Sequence, residues 1–246
     1  MSTDIDAAKP FYSAVFGWDT VDQFDDEGNR IYVNFELDGK QVAGLGGTPP
    51  GVENMPSVWN TYIATDDCEA VAAKVTEAGG SVVMPPMQVM DAGSMAVFAA
   101  PDGAAFSVWQ AGQHFGAEIA NEPNTYSWNE LQTRDLDVAK PFYSQVFGWE
   151  YDAMDMGPMG EYAVIAGGTE GQGMGGLMTM PDEVPEQVPN YWAVYFLVSD
   201  IDDTVAKINA AGGNIMNGPF PIPGVGQTAV VHDPTGGNFQ LLQPEG

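Results

Sequence analysis

Cysteine occurs once in the 246 residues, at Cys68, and histidine twice, at His114 and His232. One thiol forms no intrachain disulfide and two imidazoles cannot fill a multi-histidine metal centre, so stability has to come from buried apolar cores. Basic residues are scarce as well: 7 Lys and Arg against 34 Asp and Glu leave a net charge of −27. Such a field repels phosphate backbones and anionic lipid surfaces, which excludes nucleic acid and membrane as expected partners. No apolar run approaches the ~20 residues of a membrane span, and the opening MSTDIDAAKP lacks the basic start and apolar stretch of a leader. A cytoplasmic location is the expectation. Gly-x-Ser-x-Gly is absent, and the glycine-rich GGTEGQGMGG has no Gly-Lys-Ser/Thr ending and opens no helix, so it reads as a hairpin turn rather than a phosphate cradle.

What the chain does have is itself, twice. DIDAAKPFYSAVFGW from Asp4 returns as DLDVAKPFYSQVFGW from Asp135, which carries Lys9 onto Lys140 at a step of 131 residues. Further on the step becomes 133, carrying Tyr62 onto Tyr195, Gly79-Gly80 onto Gly212-Gly213 and Phe106 onto Phe239. Within each copy a weaker repeat joins DIDAAKPFYSAVFG to DDCEAVAAKVTEAGG and DLDVAKPFYSQVFG to DIDDTVAKINAAGG. Each is an acidic start, an apolar stripe at helical spacing and a glycine stop. Asp4 or Asp6 can cap the first helix, Phe11, Tyr12, Val15 and Phe16 share a face, and Gly17 follows the end.

Short runs rich in aromatic and β-branched residues surround the helices: RIYVNFEL and QVAGLGG after the first, VWNTYIAT and NYWAVYFLV before the internal ones. The unit is strand, helix, three strands, used four times. Residues 1–112 form the first module and 125–246 the second, with 113–124 as a polar linker. TYSWNELQTR supplies a strand before Asp135, whereas only three residues precede Asp4. The first strand of the first module therefore reads as shortened, leaving a sheet edge that invites a homodimer partner. Carboxylates spread along the chain describe a solvated surface whose self-repulsion is relieved by salt.

With AKPFYSxVFGW in both copies, DPTGGNFQLLQ closing one and APDGAAFSVWQ closing the other, the chain resembles the vicinal oxygen chelate superfamily of glyoxalases, bleomycin-resistance proteins and extradiol dioxygenases. It is most similar there to two-module, glyoxalase-like "hydroxylase" proteins of actinobacteria. The resemblance implies an α+β fold in which tandem βαβββ units form two glyoxalase-like modules, with curved mixed sheets around a pocket and helices outside. It also implies where family enzymes place metal ligands. In the second module those positions fall at Trp128 with Glu130 two residues on, at Trp192 or Ala193, at Gln240, and in GMGGLMTM. In the first they fall at Asn60 and Ser107. Few of these suit a divalent ion, which favours several imidazoles or carboxylates, so no cofactor and no metal site are expected.

Strand alternation sends Trp128, Glu130 and Gln132 to one face, where burial would make Glu130 a usable acid or base. Trp59, Trp128 and Trp192 lie on first strands, placed to line a cleft, while Trp18 and Trp149 follow helix stops as packing wedges. His232 ends a strand beside DPTGG, either bonded to that turn or serving as an acid or base. The expected catalytic groups are Glu130, Tyr195 and His232; the expected ligand contacts are Trp128, Trp192, Gln240, Trp59, Asn60 and Ser107. The expected activity is binding of a small apolar or aromatic molecule without an obligatory metal, for sequestration or acid–base transformation. Two rivals stay open: a metal-dependent lyase or dioxygenase with a degenerate ligand set, and a non-catalytic structural or interaction protein.

Overall fold

The computed structural model describes residues 1–48, 55–156, 160–167 and 173–245, with Asp155 described by its backbone alone. Half of the GGTEGQGMGG turn, residues 168–172, lies outside the described residues. Four helices carry the repeated acidic caps. In α1 (Ile5–Phe16) the Asp4 carboxylate accepts the Ala7 N–H, and in α3 (Leu136–Phe147) Asp135 does the same for Val138. Gly17 and Gly148 end these helices at φ 73° and 74°, a left-handed cap that a side chain would strain. Asp67 caps α2 (Cys68–Glu77) and Asp200 caps α4 (Ile201–Ala210) in the same way.

The chain divides into two compact units, and neither coincides with a sequence module. Unit one comprises residues 1–59, 116–127 and 194–246; unit two comprises 60–115 and 128–193. Each unit thus takes elements from both copies. The division falls inside strands β8 (Tyr126–Thr133) and β12 (Tyr191–Leu197).

In unit one, β1 (Asp19–Phe24), β2 (Arg30–Leu37) and β3 (Lys40–Gly46) form an antiparallel sheet. The later part of β12 runs parallel to β15 (Asn238–Pro244), which continues antiparallel to β14 (Gly226–His232) and β13 (Asn214–Ile222). Helices α1 and α4 pack together over a core of Phe11, Phe16, Trp18, Phe35, Phe196 and Phe239. In the place where the other elements have a first strand, Ser2 makes a single parallel bridge to Gly47.

In unit two, β4 (Tyr62–Ala64) lies parallel to β7 (Ala105–Ala111), followed antiparallel by β6 (Gly93–Ala99) and β5 (Ser81–Val89). VWNTYIAT thus yields only three strand residues. β8 lies parallel to β11 (Gly175–Thr179), followed by β10 (Glu161–Ile165) and β9 (Tyr151–Asp155). Helices α2 and α3 cover a core of Phe98, Phe106, Leu131, Phe142, Tyr143 and Leu177. In both units the first strand pairs parallel with the last, so a residue in mid-β8 sits opposite β11 and one in mid-β12 opposite β15.

Candidate functional site

On β8 the alternation holds. Leu131 faces the core of unit two, so Trp128, Glu130 and Gln132 share the opposite face. That face is not bulk water at Glu130, which is only 6% exposed. Gln132 Nε2 donates to Glu130 Oε1 at 3.0 Å, and the Tyr191 hydroxyl donates to Gln132 Oε1 at 3.0 Å. From the other side Trp128 Nε1 donates to the Tyr162 hydroxyl at 2.8 Å, and Tyr162 hydrogen-bonds Glu130. Two relays of neutral donors, Tyr191 through Gln132 and Trp128 through Tyr162, end on one buried carboxylate.

Electrostatics keep those donors in place. Burial, and then the Glu130 charge, push the Tyr162 phenol far above its ordinary value. The same two causes push Tyr191 to about 12. Both phenols stay protonated through the neutral range and remain donors. Tyr162 reaches Glu130 across Gly176 on β11: a Cβ at Gly176 would collide with the phenol. Neither Tyr162 nor Tyr191 figured among the residues expected from sequence. The available signal was the recurrence of Tyr32 and Gly44 as Tyr162 and Gly176, since a Cβ at Gly44 would strike Tyr32 in the same way.

The other expected residues are distributed as follows. Trp59 and Trp192 belong to the cores, their indole N–H groups bonded to Tyr12 (2.8 Å) and Tyr143 (2.9 Å). Asn60 is exposed, and Ser107 is buried, its N–H bonded to Thr61 O. His232 ends β14, half-buried opposite Asn238. Tyr195 and Gln240 are register partners and both buried, but they belong to unit one, whereas Glu130 belongs to unit two. The immediate partners of Glu130 come from its own unit. Among the described residues no three His, Cys, Asp or Glu side chains gather closely enough to share a metal ion. No helix among them is long and apolar enough to cross a membrane.

Duplicated βαβββ elements, with first strands parallel to last, define the class. The Glyoxalase/Bleomycin resistance protein/Dioxygenase superfamily model matches residues 1–108 and 125–241, and the chain belongs to that superfamily. Over 245 residues it is 44% identical to "Putative glyoxylase CFP32" of Mycobacterium tuberculosis, covering 99% of this chain and 92% of that protein. Over 254 residues it is 36% identical to "Anthracycline biosynthesis protein DnrV" of Streptomyces peucetius, covering 98% and 90%. Among solved structures, the Mn(II)-bound glyoxalase of Novosphingobium aromaticivorans matches with a TM-score of 0.64 at 19% identity, over 98% of this chain and 79% of that one. At that identity the likeness is one of fold.

Proposed function

We propose that the Glu130 face of unit two binds a small apolar or aromatic organic molecule and that Glu130 takes a proton from it, without an obligatory metal. The observation that carries this reading is the buried carboxylate approached by Gln132 and Tyr162. Gln132 and Tyr162 donate to this carboxylate and hold the anion in place. Trp128, half-buried beside it, offers a ring face to a flat ligand. Around Glu130 stand an amide, two phenols and an indole, a donor set poorly suited to a divalent ion, which wants further carboxylates or imidazoles. The relative designated an anthracycline biosynthesis protein is consistent with a small organic ligand.

The test begins with native mass spectrometry of the purified protein to identify a retained molecule, followed by binding and turnover measurements with it. Glu130→Gln keeps the size and the hydrogen bond to Tyr162 but removes the base, so it should abolish turnover with affinity nearly unchanged. Trp128→Ala should weaken binding by about 1–3 kcal/mol through lost apolar contact. Full turnover in Glu130→Gln refutes the proton-transfer role. An effect of Glu130→Gln on affinity alone points to sequestration.

A further inference from the structure

Of the two arginines in the chain, Arg30 is ion-paired to Asp6, whereas Arg134 directs its donors at the backbone. Its guanidinium donates to the carbonyl oxygens of Val188 at 2.7 Å, Pro185 at 3.0 Å and Val184 at 3.5 Å. Its main-chain N–H donates to Asn190 Oδ1 at 3.0 Å, and Asn190 Nδ2 donates in turn to Asp102 O at 2.7 Å. The carbonyls belong to the segment that joins β11 to β12 through two turns, Val184 N–H to Pro181 O and Val188 N–H to Pro185 O. Asp182, Glu183 and Glu186 lie in that segment, yet among the described residues Arg134 forms no ion pair with any of them. A guanidinium that meets carbonyls from both turns acts as a clamp, and its charge strengthens each bond. Every residue of the clamp belongs to unit two.

Both ends of the clamp adjoin the relay to Glu130. Arg134 lies two residues beyond Gln132 along the chain of β8, and Asn190 is followed by Tyr191, the first residue of β12, whose hydroxyl donates to Gln132 Oε1. Facing Glu130 are the phenols of Tyr162 from β10 and Tyr191 from β12, with Gly176 of β11 opposite in register. Strand ends open more readily than strand middles, so the direction of the Tyr191 side chain depends on what fixes the residues before it. We propose that Arg134 is a positioning residue for Glu130: it fixes residues 184–190 so that Tyr191 stays within donating distance of Gln132, which in turn holds the Glu130 carboxylate. Arg134 acts through Tyr191. This rests on the reading of Glu130 as the group that takes a proton, and it assigns what keeps that group oriented.

The test reads the ligand-free protein, through the side-chain amide signals of Gln132 in isotope-edited NMR spectra, identified by their loss in Gln132→Leu. In the wild type these protons should exchange slowly with water. Tyr191→Phe should speed the exchange about 10-fold, and Arg134→Met by a similar factor. Arg134→Lys, which still reaches a carbonyl but without the planar fork, should speed it less. The double variant Arg134→Met/Tyr191→Phe should exchange no faster than Tyr191→Phe, because both substitutions break one chain of contacts. An Arg134→Met protein with a lower melting temperature but wild-type exchange at Gln132 holds a merely structural clamp, which overturns the proposal. A double variant in which the two effects multiply also overturns it, since Arg134 then acts by another route. Should Arg134→Met fail to fold, Asn190→Ala, which cuts the tie to the Arg134 main chain, takes its place with the same supporting and opposing results. Failure here leaves the proton-transfer role of Glu130 standing, whereas full turnover in Glu130→Gln refutes that role and leaves the exchange result standing.

Discussion

The two compact units share a frame and differ in chemistry. Both contain a helix tyrosine against a tryptophan, Tyr12 with Trp59 and Tyr143 with Trp192, with indole N–H bonded to phenol oxygen and rings edge to face at 5.2 and 5.4 Å. Both lay a strand tyrosine across a glycine, Tyr32 over Gly44 and Tyr162 over Gly176. In unit two, β8 brings Trp128 and Glu130 to that tyrosine, and it becomes part of a buried proton-holding network. In unit one the corresponding place holds the single bridge at Ser2, and Tyr32 is 39% exposed. What packs is common to the two units, and what differs is the strand that carries Trp128 and Glu130. Core pairs are constrained on every side, whereas a residue on an open sheet face is free to change.

The largest break in the symmetry should come from the tryptophans after the helix stops. Trp18 is 2% exposed, stacks on Phe16 at 4.7 Å and donates to Asn124 O at 2.8 Å. Trp149 stacks on Phe147 at 5.1 Å but is only partly buried. Trp18→Ala should cost ~3–5 kcal/mol, since it opens a cavity and strips a carbonyl of its donor, against ~1–3 kcal/mol for Trp149→Ala. Urea denaturation of the two variants checks this, and equal costs would mean that the two wedges are equivalent after all.

A second difference is readable at alkaline pH. Burial raises the phenols of Tyr12 and Tyr143 well above their ordinary value, and Asp233, charged and hydrogen-bonded to Tyr12, raises that one further. The folded state therefore holds these protons after the unfolded chain has begun to release them near pH 10. Stability is whole below that pH and falls as pH rises, by roughly 1.4 kcal/mol per pH unit for each tyrosine until the folded form ionises or unfolds. Chemical denaturation at stepped pH should show the decline beginning near pH 10. Tyr12→Phe and Tyr143→Phe should each make it shallower, and a decline of unchanged slope in both would contradict the assignment.

Much of this was legible because it repeats. Asp4, Gly17, Asp135 and Gly148 announce their helices through local rules of capping, and the structure uses all four as caps. The position of Glu130 on one face with Trp128 follows from alternation alone. Its partners do not: Tyr162 and Tyr191 lie tens of residues away in sequence, and only parallel pairing of β8 with β11 brings Tyr162 near. The surroundings of the tryptophans were hidden for a related reason. Trp192 stands on β12 and Trp59 three residues ahead of β4, and each lies against a helix tyrosine far away in sequence. The compact units were likewise hidden, since sequence similarity follows the copies while packing joins α1 to α4 and α2 to α3.

The smallest contrast lies on the surface, where the lysine repeated in both copies finds different partners. Lys9 pairs with Asp22 at 2.6 Å, the side chains 23% and 26% exposed; Lys140 pairs with Glu161 at 2.7 Å, at 30% and 49%. Partial shielding of the first pair strengthens its attraction and loses less of it to counterions. Lys9→Met should therefore cost about 0.5–1 kcal/mol and Lys140→Met about 0.2–0.5 kcal/mol at low salt. Each substitution also takes a positive charge from a chain already at −27, a longer-range penalty that salt removes. Added NaCl should then raise the melting temperature of the wild type, by screening self-repulsion, while narrowing the gap to both variants. The gap for Lys140→Met should close first, because its pair is the more exposed. Gaps that are equal and insensitive to salt would show that the two lysines act through their apolar stems rather than their charge.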